Sequence, residues 1–214
     1  EACSDKGVAV FNAPYSNTRS VVELAIGELV MLRRNLTDKA MAMHQGKWKK
    51  SAKGSHELRG KNLGIIGYGN IGSQLSVLAE AMGMKVYYYD LVETLALGNA
   101  RKCQSIDELF AVSDFISLHV DGRPENKNMI TEESFRKMKD GVIFLNLSRG
   151  SVVDVKALRK ALDEGKVGGA GVDVFPEEPK SNDDEFVSDL RGASNVIMTP
   201  HVGGSTQEAQ ENIA

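Results

Sequence analysis

Two cysteines, Cys3 and Cys103, are all the thiols in the chain, and they stand far apart without the paired spacing of a zinc site or a disulfide framework. They read as free thiols of a reducing compartment, which places the protein in the cytoplasm, and no metal is expected. No apolar run approaches the roughly 20 residues that span a membrane, and Glu1 to Gly7 lacks the pattern of a signal peptide. Positive charge is not in excess either. With 26 Lys and Arg against 29 Asp and Glu the formal net charge is −3, which argues against a nucleic-acid partner. Lys47, Lys49, Lys50 and Lys53 gather around Trp48, but no aromatic series accompanies them, so a solvated loop and helix end is expected there. Internal repeats, low-complexity tracts and an initiator methionine are missing as well, and the chain is expected to be a fragment or a processed form.

What is present is a soluble globular composition, 42% hydrophobic and 26% charged over 214 residues, enough for one α/β domain or two small ones. Its most specific stretch is Gly67-Tyr68-Gly69-Asn70-Ile71-Gly72. A strand candidate, Leu63 to Ile66, precedes it; a helical pattern, Ile71 to Met82, follows; and a second strand candidate, Val86 to Tyr89, delivers Asp90. Strand, glycine turn, helix, strand and acid are the parts of a dinucleotide site. Gly67 permits the tight turn, Gly69 lets the backbone approach a pyrophosphate, and Gly72 lets helix and strand pack closely. Unpaired N–H groups at the helix start favour the phosphates. Asp90 can accept hydrogen bonds from ribose hydroxyls and would repel a 2′-phosphate, so NAD is expected in preference to NADP.

The same alternation runs along the chain. Val8 to Phe11 is a strand candidate leading into the turn Asn12-Ala13-Pro14. Thr18 or Ser20 is placed to cap a long helix with Val21, Leu24, Ala25, Leu29, Met31 and Leu32 at helical spacing, and Met31, Met41 and Met43 are expected to fill core. Beyond Asp90, helices are predicted over 105–110, from Thr131, over 154–162 and over 205–213; strands are predicted over 114–120, 141–146, 168–175 and 195–199. Such alternation predicts a doubly wound parallel sheet covered on both faces, a Rossmann-type domain, with no room for a second one. Phe175 to Ala193, rich in proline and acids, is the one long irregular stretch, and loops of that length tend to be functional.

In open parallel sheets, ligands lie beyond the C-terminal strand ends. Five ionisable candidates fall there: His119, Arg149, Asp173, Glu178 and His201. Oxidation of a 2-hydroxy acid needs a cation for the carboxylate, a base for the hydroxyl proton and a group that tunes the base. Arginine suits the first because its planar fork binds carboxylate in two places. Histidine suits the second because it titrates near working pH. A carboxylate that fixes the tautomer and steadies the imidazolium suits the third. Arg149, His201 and Glu178 supply those types. Taken singly, each also has an ordinary alternative: a loop-bracing arginine, an exposed acid, a turn histidine; His119 could equally be a satisfied histidine at a sheet edge.

Asn12 to Val21, Leu63 to Gly72, Asn146-Leu147-Ser148-Arg149-Gly150 onward to Asp154, Gly171 to Pro179 and Thr199 to Thr206, in that order, resemble the D-isomer-specific 2-hydroxyacid dehydrogenase family over nearly the whole chain. The resemblance implies that Arg149 holds the substrate carboxylate, His201 is the acid/base and Glu178 supports its protonated form. It also implies cofactor contacts from Gly67, Gly69, Asn70, Ile71, Gly72, Asp90, Leu147, Ser148, Arg149 and Asp173, and closure of His201, Val202, Gly203 and Gly204 over the cofactor. Asn17 matches a substrate-phosphate contact, which points to the branch that oxidises 3-phospho-D-glycerate to 3-phosphooxypyruvate in serine biosynthesis; another D-2-hydroxy acid, or an NAD-sensing corepressor role, is the alternative. Two departures stand out. Asp121-Gly122-Arg123-Pro124 follows Val120 where the family usually places proline at once. The family also builds a substrate domain from both chain ends, so residues 1–214 are expected to be the NAD-binding domain, with 1–7 and 205–214 as edges of a substrate domain otherwise absent. Pairing of family members through the long helix and the Trp48 region implies a homodimer.

Overall fold

Five residues in a row with the last four buried, Asn62–Ile66, make the first strand (β1), and its apolar run reflects burial on both faces. The computed structural model describes residues 3–10 and 13–212. After β1 come α3 (Asn70–Ala81), β2 (Lys85–Tyr89), β3 (Arg101–Lys102), α4 (Ile106–Val112), β4 (Phe115–Leu118), α5 (Glu132–Lys137), β5 (Val142–Asn146), α6 (Val155–Asp163), β6 (Val167–Val172), β7 (Val196–Met198) and α7 (Gln207–Glu211). Two helices precede it, α1 (Thr18–Arg33) and α2 (Leu36–His44). The seven strands pair in the order β3-β2-β1-β4-β5-β6-β7, all parallel. This is the doubly wound arrangement expected, with the strand order reversing between β1 and β4.

Alternation along the strands divides the core in two. Phe115, Ile143 and Leu145 face α1 and α3, where Val22, Ala25, Leu29, Leu75 and Ala79 cover them. Ile116, Leu118, Val142 and Phe144 face the other way, under α4, α5 and α6. Each fully buried aliphatic side chain contributes about 1.5–3 kcal/mol. Helix starts are fixed by short polar side chains: Ser105 Oγ accepts the Glu108 N–H at 3.1 Å, Asp154 accepts those of Lys156 and Ala157, and Thr206 Oγ1 accepts that of Ala209.

Several expectations are corrected. Val8 to Val10 form no strand; both valines are exposed and no strand lies beside them among the described residues, while Phe11 and Asn12 lie outside the described residues. Neither Thr18 nor Ser20 caps α1. Asn17 takes that position without a side-chain cap, Thr18 is buried in the first turn, and Ser20 pairs with the Thr206 hydroxyl at 2.9 Å. The long helix breaks at Asn35, whose φ of 51° puts it in the left-handed region that asparagine tolerates. Met31, Met41 and Met43 are exposed rather than core-filling. Met31 lies two positions from Leu29 and one from Leu32, hence about 200° and 100° round the helix from them and off the buried stripe. The edge strand β3 has no sequence signal, because two charged residues carry no periodicity. At the other end α7 is shorter than the predicted 205–213, and Ile213 lies outside the described residues.

Candidate active site

At the switch point, β1 turns into α3 through the glycine loop, and its three glycines differ in what they face. Gly67 has φ +91°, and a Cβ there would come within 2.5 Å of the carbonyl oxygen of His119, just past β4. A Cβ on Gly72 would overlap the Gly67 carbonyl oxygen, which is why α3 can lie so close to β1. A Cβ on Gly69 would meet nothing within 4 Å. That open space above the N-terminus of α3 is what a pyrophosphate requires, so the loop fits a dinucleotide. Asn70 sits beside it, exposed, donating to the Pro14 carbonyl at 3.1 Å, and Ile71 is half-buried in the first turn. Asp90 ends the next strand. Its carboxylate accepts the Tyr68 N–H at 2.6 Å and the Val92 N–H at 2.9 Å, which aims it across the loop with lone pairs left for two ribose hydroxyls.

Beyond β5, Leu147 and Ser148 are buried, and Ser148 N–H and Oγ both bind the Asn146 side-chain oxygen, at 3.2 and 2.9 Å. Arg149 is exposed, its Nη1 donating to the Ser148 carbonyl at 2.7 Å. Gly150 follows because a Cβ there would collide with the Phe175 backbone. Beyond β7 the chain doubles back through His201, a non-glycine residue at φ +54°. Strain of this kind persists only where neighbours over-determine it. Here they do: His201 N–H donates to the Asp173 carbonyl at 2.8 Å, while the buried Asp173 carboxylate accepts the Thr199 hydroxyl at 2.6 Å and the Val202 and Gly203 N–H groups at 2.9 and 2.8 Å. Gly204 packs against Asn17, too close for a Cβ.

His201 Nδ1 lies 2.9 Å from Glu178 Oε2, and Glu178 Oε1 accepts the Phe175 N–H at 3.1 Å. Desolvation pushes the Glu178 carboxyl upward. The His201 hydrogen bond, the Phe175 N–H and the charges of His201 and Arg149 outweigh it and hold the carboxyl below the ordinary glutamate value. Glu178 is therefore an anion near neutral pH. With Nδ1 committed to it, Nε2 of the half-exposed His201 ring is the nitrogen left to exchange a proton.

His119 is not part of this group. It stands at the end of β4 in the middle of the sheet, not at an edge, with Nε2 2.9 Å from the Ser117 hydroxyl. Burial pushes its pKa down to about 4, so it stays neutral near pH 7. Neither Thr199, read only as a strand end, nor Glu28 is marked as a site residue by the sequence; Thr199 binds the Asp173 carboxylate and Glu28 lies against Gly171, yet a threonine ending a strand and one acid in an amphipathic helix carry no signal of their own. Among the described residues no group of three His, Cys, Asp or Glu side chains is placed to hold a metal ion, and no helix is long and apolar enough to cross a membrane.

A doubly wound sheet, a glycine loop with an acid after β2, and a histidine–glutamate pair beyond β6 and β7 define an NAD-dependent dehydrogenase architecture. Residues 26–203 match the family model described as D-isomer specific 2-hydroxyacid dehydrogenase, NAD binding domain, and the chain belongs to that family. It is 54% identical over 212 residues to D-3-phosphoglycerate dehydrogenase of Haemophilus influenzae, covering 99% of this chain and 52% of that protein. The D-3-phosphoglycerate dehydrogenase of Escherichia coli is 53% identical over 213 residues, with 100% and 52% covered. The chain thus spans about half the length of the curated relatives it matches. Among solved structures, D-lactate dehydrogenase of Aquifex aeolicus, complexed with NAD and lactic acid, superposes with a TM-score of 0.87 at 34% identity, over 99% of this chain and 68% of that one. D-lactate dehydrogenase of Lactobacillus jensenii with NAD+ gives 0.88 at 29% identity, over 99% and 67%.

Proposed function

We propose that this chain is the NAD-binding domain of an enzyme that oxidises 3-phospho-D-glycerate to 3-phosphooxypyruvate, with residues 1–7 and 205–214 lying at the junction to a substrate domain. The observation that carries the chemistry is the 2.9 Å contact between His201 Nδ1 and Glu178, which leaves Nε2 free on an exposed ring. Bound NAD supplies the acceptor for the substrate C2 hydride. His201 takes the hydroxyl proton at Nε2, and Glu178 stabilises the imidazolium so formed. Arg149, exposed next to the pair, grips the carboxylate and the developing carbonyl. Asn17, which packs at the start of α1 against Gly204, is the residue assigned to the substrate phosphate. Leu147, Ser148 and Asp173 form the nicotinamide wall, and Val202 to Gly204 close over it. The relatives above half identity, named for 3-phosphoglycerate, support that substrate over lactate.

Exposed Met41, Met43 and Trp48 on and after α2 support pairing into a homodimer. The test is turnover of the full-length protein with 3-phosphoglycerate and NAD, with D-lactate alongside, and of its His201→Ala variant. The expected result is oxidation of 3-phosphoglycerate that falls at least about a hundredfold in the variant, the usual range for loss of a general base. Turnover unchanged by His201→Ala would refute the assigned base. NAD binding without turnover of either acid would favour a sensing role instead.

A further inference from the structure

The buried face of α1 holds one acid that the chemistry above does not use. Glu28 is 2% exposed, and neither carboxyl oxygen meets a hydrogen-bond donor. Its Oε2 lies against Gly171 on β6, where a Cβ would overlap it, and Leu145 of β5 closes the same wall. An ionised carboxylate with no donor in such a place is strongly disfavoured. Burial first, and then the charge of Asp173, push the Glu28 pKa up to about 8, so near neutral pH it is a neutral acid.

Asp173 directly follows β6, two residues beyond Gly171, and is the group that organises the loop carrying His201. The other elements packed on α1 leave Asp173 as the charge facing Glu28. β5 and β7 present apolar side chains there, and α3 presents Leu75 and Ala79. Asp38 of α2 is occupied by the Asn195 N–H, and Arg33 stands over the Phe115 ring. His201 lies on the exposed side, bonded to Glu178.

We propose that Glu28 is a positioning residue of the NAD site, a neutral carboxylic acid that backs Asp173 so that Asp173 keeps its hold on Val202, Gly203 and the His201 loop. The inference rests on the assignment of residues 201–204 to the cofactor's cover. Ionisation of Glu28 sets a second negative charge beside Asp173 with no donor to receive it. Gly171 and Leu145 block its retreat, so the Asp173 loop is what yields. Cofactor binding, which needs that loop in place, and protonation of Glu28 then favour each other by linkage.

Calorimetric titration with NAD across about pH 6.5 to 9.5 tests this. The parent is expected to bind with near-constant affinity up to neutral pH and to lose about tenfold by the alkaline end, equivalent to one unit of linked pKa change. Glu28→Gln, isosteric and uncharged, is expected to bind within about threefold of the parent at pH 7, less than one unit of linkage, and to stay flat to the alkaline end. A Gln variant that keeps the parent's alkaline loss, or a parent with no such loss, overturns the inference alone. A parent that binds no NAD at any pH overturns both it and the assignment of the loop. Carbon-13 NMR of glutamate-labelled parent gives an answer that needs no variant to fold normally. One carboxyl titrating above about pH 7 is expected. All glutamates titrating in the ordinary range would overturn the proposal.

Discussion

Gly69 and Gly72 separate binding from folding within a single motif. A methyl added at Gly69 meets nothing within 4 Å, and the residue's φ of −81° is open to alanine. Its only folding effects are a weaker N-cap for α3 and a stiffer unfolded chain, which oppose each other and leave stability within about 1 kcal/mol of the parent. The methyl does occupy the space over the N-terminus of α3 through which phosphate oxygens reach the backbone N–H groups. Losing one or two such charge-assisted hydrogen bonds, at about 1.5–3 kcal/mol each, weakens NAD by about tenfold to ten-thousandfold. Gly72→Ala behaves oppositely. Its methyl overlaps the Gly67 carbonyl and lies 3.0 Å from Ile65 Cγ2, so α3 must move off β1 at a cost of about 2–4 kcal/mol. Urea unfolding and calorimetry with NAD, run on both variants, read the two effects apart. Parental NAD affinity in Gly69→Ala would show that no phosphate approaches there, and the reasoning built on the loop would fail.

Three further outcomes follow from the same geometry. Asp90→Ala is expected to weaken NAD while narrowing its advantage over NADP, and to lose about 1 kcal/mol of stability because the Tyr68 and Val92 N–H groups lose their acceptor, read by calorimetry with both cofactors and by urea. Glu178 titrates below ordinary glutamates, so its contribution to stability is complete above the unfolded value and is lost as pH falls through the folded one; in His201→Ala its carboxyl is expected to titrate higher by carbon-13 NMR. Glu28 has the opposite sign. Raised from 4.5 to about 8, it makes the folded state bind a proton that the unfolded chain releases, so stability falls with rising pH between those values, and Glu28→Gln is expected to gain about 3 kcal/mol at pH 7 and almost nothing near pH 4.5 by urea unfolding at the two pH values.

The fold was legible wherever a segment was long enough to show its period. β1, β2, β4, β5 and β6 are apolar runs between turn signals, and α6 starts directly after Asp154, where the predicted helix begins. Legibility stopped where tertiary contacts decide. Val8 to Val10 have the composition of a strand and, among the described residues, no strand to pair with. Met31 has the composition of core but the wrong side of its helix. β3 exists because the chain passes alongside β2, with Tyr87 opposite Arg101 and Tyr88 opposite Lys102, and nothing in two cations announces that. Glu28 is the sharpest case, since an acid in an amphipathic helix is by default on the wet face, and only packing shows otherwise.

The convergence of the candidate site residues was legible as well, for a topological reason. Arg149, Asp173 and His201 stand about one βα unit apart in sequence, and β5, β6 and β7 are neighbours in the sheet, about 4.8 Å from strand to strand. Parallel strands carry their C-terminal ends to one edge, so residues that follow successive strands converge whatever the helices between them contain. Glu178 does not follow from that rule, because it lies six residues past the end of β6 in an irregular segment. It reaches His201 because its other oxygen turns back to the Phe175 N–H, and Phe175 is held where Gly150 leaves room for its backbone. The glycine after Arg149 therefore sets the position of the glutamate as well as the path of its own loop. A side chain at Gly150 would displace Phe175, take the acceptor for its N–H out of register, and separate Glu178 from His201 without touching either residue.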